Sequence, residues 1–171
     1  MEVLDIEEVR AYDINDVNLE KYVREMTQRH GISVEESESP RKAVEGSDII
    51  VTATSTLKRP KLIIEREWLK PGVFGCPLDF DPYWKPKAMR FVDKFCTDDL
   101  EQLMYYGGIG CFSGISDVYA DLSEIVIGKK SGRESKKERI LSINLGLAIE
   151  NMATAIIICR KALRVGGWYL A

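Results

Sequence analysis

Short apolar runs alternate along this chain with stretches of helical period. Val9, Ala11 and Ile14 lie between the charged Glu7-Glu8 and the polar turn segment Asp13-Ile14-Asn15-Asp16, the pattern of a buried strand that ends in a turn. Leu19, Tyr22, Val23 and Met26 then recur at helical spacing, and Gly31 supplies a stop. Ile32 to Glu36 predicts a second strand, after which Ser39-Pro40 reads as cap and first position of a short helix closed by Gly46. Asp48 to Thr54 is almost continuously apolar and β-branched, as in a strand covered on both faces.

The alternation continues. Trp68-Leu69-Lys70 leads into a Pro71-Gly72 turn, and Val73 to Cys76 predicts another buried strand. Arg90-Phe91-Val92-Asp93 reads as a strand, and Thr97-Asp98-Asp99 caps a helix that carries Leu100, Leu103 and Met104 and ends at Gly107-Gly108. Val118, Tyr119, Leu122, Ile125 and Val126 share one face of a longer helix expected over Ser116 to Ile127, with Gly128 behind it. Ile140 to Asn144 predicts a last strand. From Gly146 to Leu163 nearly every side is apolar, so that helix is expected to be deeply buried. The sum is an α/β domain, a parallel sheet with helices on both faces. Ligands of such sheets bind at the carboxyl ends of the strands, beside the point where strand order reverses.

Composition narrows the partners. The 171 residues, 45% of them hydrophobic, can bury one core, and a formal charge of -3 gives no reason to seek nucleic acid. The basic segment Lys129 to Arg139 holds six cations but no interleaved aromatic residue, so it reads as a solvated loop. The longest apolar run, Met152 to Cys159 broken by Thr154, is far short of the ~20 residues of a membrane span. Without the basic start and cleavage site of a secretion signal, the expected location is a reducing cytoplasm. Cys76, Cys96, Cys111 and Cys159 form no C-x-x-C pair and His30 is the only histidine, so free core thiols are expected and no metal site.

Strand ends carry the candidate chemistry. Asp13, with Ile14 beside it, closes the first strand, where a carboxylate accepts both ribose hydroxyls of an adenine nucleotide and repels a 2′-phosphate. The same residue suits a turn that caps the following helix. Thr52, Ala53 and Thr54 end the third strand, where small side chains admit a flat cofactor and hydroxyls bond it; threonine is also simply a good strand former. Asp79 and Asp81 flank Phe80, with Tyr83 and Trp84 close behind. Apolar surroundings favour a carboxyl group tuned for proton transfer, which makes Asp81 the catalytic candidate. Asp81-Pro82 is equally a common turn opening. His30 fits the last turn of a helix and is assigned no chemistry.

Five stretches in order, Val9 to Asn15, Ser47 to Thr54, Trp68 to Gly72, Glu124 to Lys129 and Gly146 to Glu150, resemble the second half of the ornithine cyclodeaminase/μ-crystallin family. The tail Val165-Gly166-Gly167-Trp168 is similar to that of a branch whose members often carry a tyramine oxidase label. The resemblance implies a Rossmann-type domain with NAD as cofactor. It also implies hydride transfer at the α-carbon of an amino acid or cyclic imine, as in cyclodeaminases, amino-acid dehydrogenases and ketimine reductases. It places Asp13 at the adenine ribose, Thr52 to Thr54 along the cofactor, Asp81 as acid/base and Asn144 near the nicotinamide, where a serine is usual. The family's glycine-rich segment around the aspartate is replaced here by Leu78 to Trp84, and Asn151 stands where an aspartate is common. Only eight residues precede Val9. By the resemblance, the first strand with its G-x-G-x-x-G turn, and the N-terminal substrate and dimerisation domain, are therefore expected outside this chain. The expectation is a partial Rossmann domain, inactive alone, whose partner is a complementary chain or a second copy.

Overall fold

The computed structural model describes residues 4–54, 61–80, 83–112, 115 and 117–164. The elements in chain order are β1 (Glu8–Ala11), α1 (Asp16–His30), β2 (Ser33–Glu36), α2 (Pro40–Val44), β3 (Ile49–Thr52), β4 (Phe74–Pro77), α3 (Pro86–Met89), β5 (Lys94–Thr97), α4 (Leu100–Gly108), β6 (Ala120–Asp121), α5 (Leu122–Val126), β7 (Ile140–Ile143) and α6 (Ala148–Arg164), with a 3-10 turn at Arg66–Trp68. β3, β4, β7, β5 and β6 form one sheet in that order, every pairing parallel. β1 and β2 pair in parallel as a separate two-stranded sheet.

Local chemistry sets the helix ends. Asn15 accepts from the N–H groups of Val17 and Asn18, and Gly31, at φ 64°, donates its N–H to the Thr27 carbonyl and stops α1. Ser39 caps α2 through the Lys42 N–H with Pro40 in the first turn, and Asp99 caps α4 through Gln102. The core gathers Ile50, Ile64, Val73, Trp84, Met89, Phe95, Leu103, Leu141 and Ile143 between the five-stranded sheet and its covering segments. Gly72, at φ 85°, lets the Pro71-Gly72 turn lie on the 129–139 loop: a Cβ there would sit 2.4 Å from the Lys136 carbonyl oxygen.

Several expectations are corrected. Arg90 to Asp93 is not a strand: it follows α3 as a turn, and the strand is the next four residues, all buried. Lys94 disguised it. Its ammonium, on a side chain only 8% exposed, donates to the Gly132 carbonyl and to Glu134, and lies 4.8 Å from the centre of the Tyr119 ring. The long helix over Ser116 to Ile127 is only α5. Asp121 accepts the Ser123 N–H while Glu124 returns to the Asp121 N–H, a capping box that starts the helix there. Ser116 and the tail from Val165 lie outside the described residues. β3 is not covered on both faces, since Ile49 and Val51 are exposed while Ile50 and Thr52 are buried. α6 has no buried residue, although Ile149, Met152, Ile157 and Ile158 are apolar. The cysteines are free as expected, but only Cys96 is fully buried.

The Glu138 carboxylate helps to hold the basic loop. The Glu134 N–H donates to Glu138 at 2.8 Å, and this bond, aided by the Ser135 backbone and the Lys94 charge against the cost of burial, holds the Glu138 carboxyl below its ordinary range. A depressed folded pKa stabilises at neutral pH, and the stabilisation is lost as pH falls through the folded value. Amide exchange across residues 132–139 is therefore expected to accelerate on acidification before the amides of β5 and β7 do, once corrected for intrinsic rates. Glu138→Gln should remove that step.

Candidate functional site

Parallel pairing brings the carboxyl ends of the strands to one side of the five-stranded sheet. Thr52 ends β3 opposite Pro77 of β4, and its carbonyl accepts the Leu78 N–H at 2.7 Å. Its side-chain oxygen Oγ1 is buried and has no hydrogen-bond partner. Such an atom costs stability unless something bonds it. Ala53 and Thr54 follow it and are exposed.

Asn144 closes β7 beside β4. Its amide accepts from Ser142 Oγ at 2.9 Å and reaches Cys76 Sγ at 3.8 Å. Burial pushes the Cys76 thiol up, against the Asn144 hydrogen bond, so Cys76 stays a protonated thiol and not a nucleophile. Next along the sheet, Asp98 is buried after β5 and accepts the Gly146 N–H at 2.6 Å, which fixes the turn between Asn144 and α6. The sequence has two acids at this strand end and only Asp99 caps the helix. The second acid, Asp98, is the signal in the sequence for this anchor.

After β4 the chain carries Asp79 and Phe80. Asp79 is 4% exposed; one oxygen accepts the Tyr83 N–H at 3.0 Å and the other, Oδ1, has no partner. The bond ties residue 79 to residue 83. Phe80 packs edge-on against Tyr106 and Phe112, with ring centres at 4.7 and 5.3 Å. Asp81, between these two fixed points, lies outside the described residues, as does Pro82. The Tyr83 phenol is raised first by burial, then by the charges of Tyr12 and Asp79.

Asp13 and Ile14 follow β1. Asp13 Oδ1 accepts the Asn15 N–H at 2.8 Å in a tight turn, while the cap of α1 is Asn15 itself. Ile14 is 85% exposed. The structure thus brings Thr52 and Asn144 to strand ends of one sheet and puts Asp13 at a strand end of the other. Two surface cavities, of about 380 and 970 Å³, are lined by other residues: one by Glu65, Lys85 and Phe91, the other by α4 and the segment around Phe112. No group of three or more metal-ligating side chains occurs among the described residues, and no helix among them is long and apolar enough to cross a membrane.

The family model for the ornithine cyclodeaminase/mu-crystallin family matches residues 1–165. The alanine dehydrogenase of Archaeoglobus fulgidus is 32% identical over 169 residues, which cover 94% of this chain and 51% of that protein. Among solved structures, the Thermococcus litoralis delta(1)-pyrroline-2-carboxylate reductase in complex with NADH and L-proline superposes with TM-score 0.81 at 32% identity, over 99% of this chain and 55% of that one. An archaeal alanine dehydrogenase dimer with bound NAD gives 0.78 at 27%, over 98% and 53%. The chain thus spans about half the length of the relatives it matches.

Proposed function

Because this chain belongs to the ornithine cyclodeaminase/mu-crystallin family, we propose that it is the cofactor-binding part of an NAD-dependent amino-acid or imine oxidoreductase or cyclodeaminase. The observation that carries the reading is the buried, unpartnered Thr52 hydroxyl at a strand's carboxyl end, where a doubly wound sheet receives its nucleotide. Relatives described with NADH or NAD bound support it.

Asp13 holds the adenine ribose, with Ile14 beside it. Thr52, Ala53 and Thr54 line the cofactor, the first by a hydrogen bond and the others by being small. Asn144 orients its reactive end from β7, itself held by Ser142. NAD supplies the acceptor and donor of a hydride at the α-carbon. Asp81 holds or takes the proton at the amine nitrogen, and the Asp79–Tyr83 bond positions its segment. The chain spans about half the length of the relatives it matches, and on this reading it is inactive until a further part that grips the substrate carboxylate completes it. Completion comes from that part, in the same or a complementary polypeptide, and the complete protein pairs with a second copy. The second reading is a non-catalytic subunit that binds a small molecule or a complementary chain.

NADH fluorescence titration tests the first reading. The 171-residue chain is expected to show no saturable binding at micromolar concentrations. A fusion of this chain to the part of the Archaeoglobus fulgidus alanine dehydrogenase that the match leaves uncovered is expected to bind NADH and turn over an amino acid. Turnover by the chain alone overturns the inactivity, and a folded fusion that binds no NADH overturns the cofactor. In the same fusion Asp13→Ser, which removes charge-assisted bonds, is expected to weaken NADH by roughly tenfold to a hundredfold and to narrow its margin over NADPH.

A further inference from the structure

The connections before and after β4 meet in a charged cleft. Between the 3-10 turn at Arg66–Trp68 and α3 lies the cavity of about 380 Å³, whose walls carry four cations, Arg66, Lys85, Lys87 and Arg90. Two carboxylates, Glu65 and Glu67, and the Phe91 ring complete the lining. None of these residues belongs to the proposed nucleotide site. Backbone bonds hold the walls in place. The Ile63 and Ile64 N–H groups donate to the Tyr83 carbonyl and the Lys85 N–H returns to the Ile64 carbonyl, while the Arg90 and Phe91 N–H groups donate to the carbonyls of Pro86 and Ala88.

The two carboxylates do not balance the four cations. Glu65 takes Lys85 and Glu67 takes Arg66, each at 2.6 Å between exposed side chains. Pairs of this kind contribute little to stability, so a ligand can exchange for them at small cost. Arg66 reaches Glu67 through Nε, and its two terminal nitrogens make no hydrogen bond among the described residues. Lys87 makes no ion pair among them. The Arg66 hydrogen bond first, and the Lys87 charge last, hold the Glu67 carboxyl below its ordinary range. Phe91 is 39% exposed, with the Arg139 guanidinium 4.6 Å and that of Arg66 5.9 Å from its ring centre. Arg139 is itself fixed by the Leu69 carbonyl.

We propose that this cavity binds a small dicarboxylate. The lining carries a surplus of two positive charges, four cations against two carboxylates, which a dianion matches and a monocarboxylate does not. Guanidinium groups take carboxylates through paired N–H donors. The exposed Phe91 ring gives the carbon chain between two carboxylates a surface out of water, which an inorganic dianion cannot use. The inference does not depend on the nucleotide reading, because the two sites share no residue.

Calorimetric titration of the 171-residue chain with glutarate, at low ionic strength and in a buffer without phosphate or carboxylate, tests it. Saturable one-to-one binding at millimolar concentrations is expected, weakening as salt is added. Valerate, with the same number of carbons and one carboxylate, should bind roughly tenfold more weakly or worse. Pyrophosphate, which brings charge without a carbon chain, should also bind more weakly than glutarate. Lys87→Glu, at an exposed position, should cost roughly tenfold to a hundredfold in glutarate affinity. Lys136→Glu makes the same charge change on the 129–139 loop, outside the cavity, and should leave the affinity within about twofold. Phe91→Ser should weaken glutarate and not pyrophosphate, and the two lysine variants decide the question if it does not fold. Three results overturn the proposal: no saturable glutarate binding, equal losses from Lys87→Glu and Lys136→Glu, or pyrophosphate bound more tightly than glutarate, which would make the cavity a site for inorganic anions.

Discussion

Gly75→Ala is expected to destabilise the domain by about 1–3 kcal/mol and to lower its melting temperature by roughly 2–12 °C. Gly75 is buried in β4, and a Cβ built on it would lie 2.6 Å from Trp84 Cη2, 2.7 Å from Leu141 Cδ1 and 2.9 Å from Trp84 Cζ2. Those are contacts that native Cβ atoms do not make. Neither neighbour can swing away, because Trp84 is 1% and Leu141 0% exposed. The six-membered ring of the indole instead packs against a strand that has no side chain at this position. Gly75→Val should fail to fold. Trp84→Phe gives the cavity a smaller ring and also removes the buried indole N–H, which has no partner. The double variant Gly75→Ala/Trp84→Phe should therefore lose less stability than the two single changes together, and Leu141 should keep it from full recovery. Equilibrium unfolding in urea, with the slope checked for constancy, reads both predictions. Additive losses would mean that the indole does not fill the space above Gly75.

What the sequence reveals and what it hides divide along the reach of each interaction. Ser39 with Pro40, and Gly31 after a helical run, act within four residues of themselves, so their signals are legible and their elements are found in place. Lys94 cannot be read this way. A lysine in a four-residue run argues against a buried strand, and the groups that accept its protons, Gly132 and Glu134, lie 38 and 40 residues away. The capping box at Asp121 is local and legible in principle. It is masked because the apolar spacing runs through it from Val118 to Val126, and periodicity does not register an interruption that keeps phase.

α6 marks another limit. Apolar residues all around a helix state that something should cover them, not that these 171 residues do, and in this structure Ile149 and Ile158 remain 72% and 60% exposed. The same holds for Ile49 and Val51 on β3. Of the site, the strand-end positions of Asp13, Thr52 and Asn144 are legible from alternation alone. The buried oxygens without partners, on Thr52 and Asp79, are not, because hydrogen-bond satisfaction is a property of packing.

The two acids after β4 should separate cleanly under substitution. In the fusion that turns over an amino acid, Asp81→Asn is expected to lower kcat by about 10²–10⁴, the usual worth of a positioned general acid or base, with little change in KM. The amide has the shape of the carboxylate but takes no proton from the substrate nitrogen, so the acidic limb of the kcat profile should vanish with it. Asp79→Asn leaves an oxygen that still accepts the Tyr83 N–H, so the tie between residues 79 and 83 is kept and kcat should fall less than tenfold. Asp79→Ala removes that acceptor and strands the Tyr83 N–H in a part-buried turn, so here KM should rise together with the fall in kcat. If Asp81→Asn keeps wild-type kcat while Asp79→Asn loses it and its pH limb, the roles are reversed: the buried carboxylate with the free oxygen is then the proton carrier and Asp81 opens the turn.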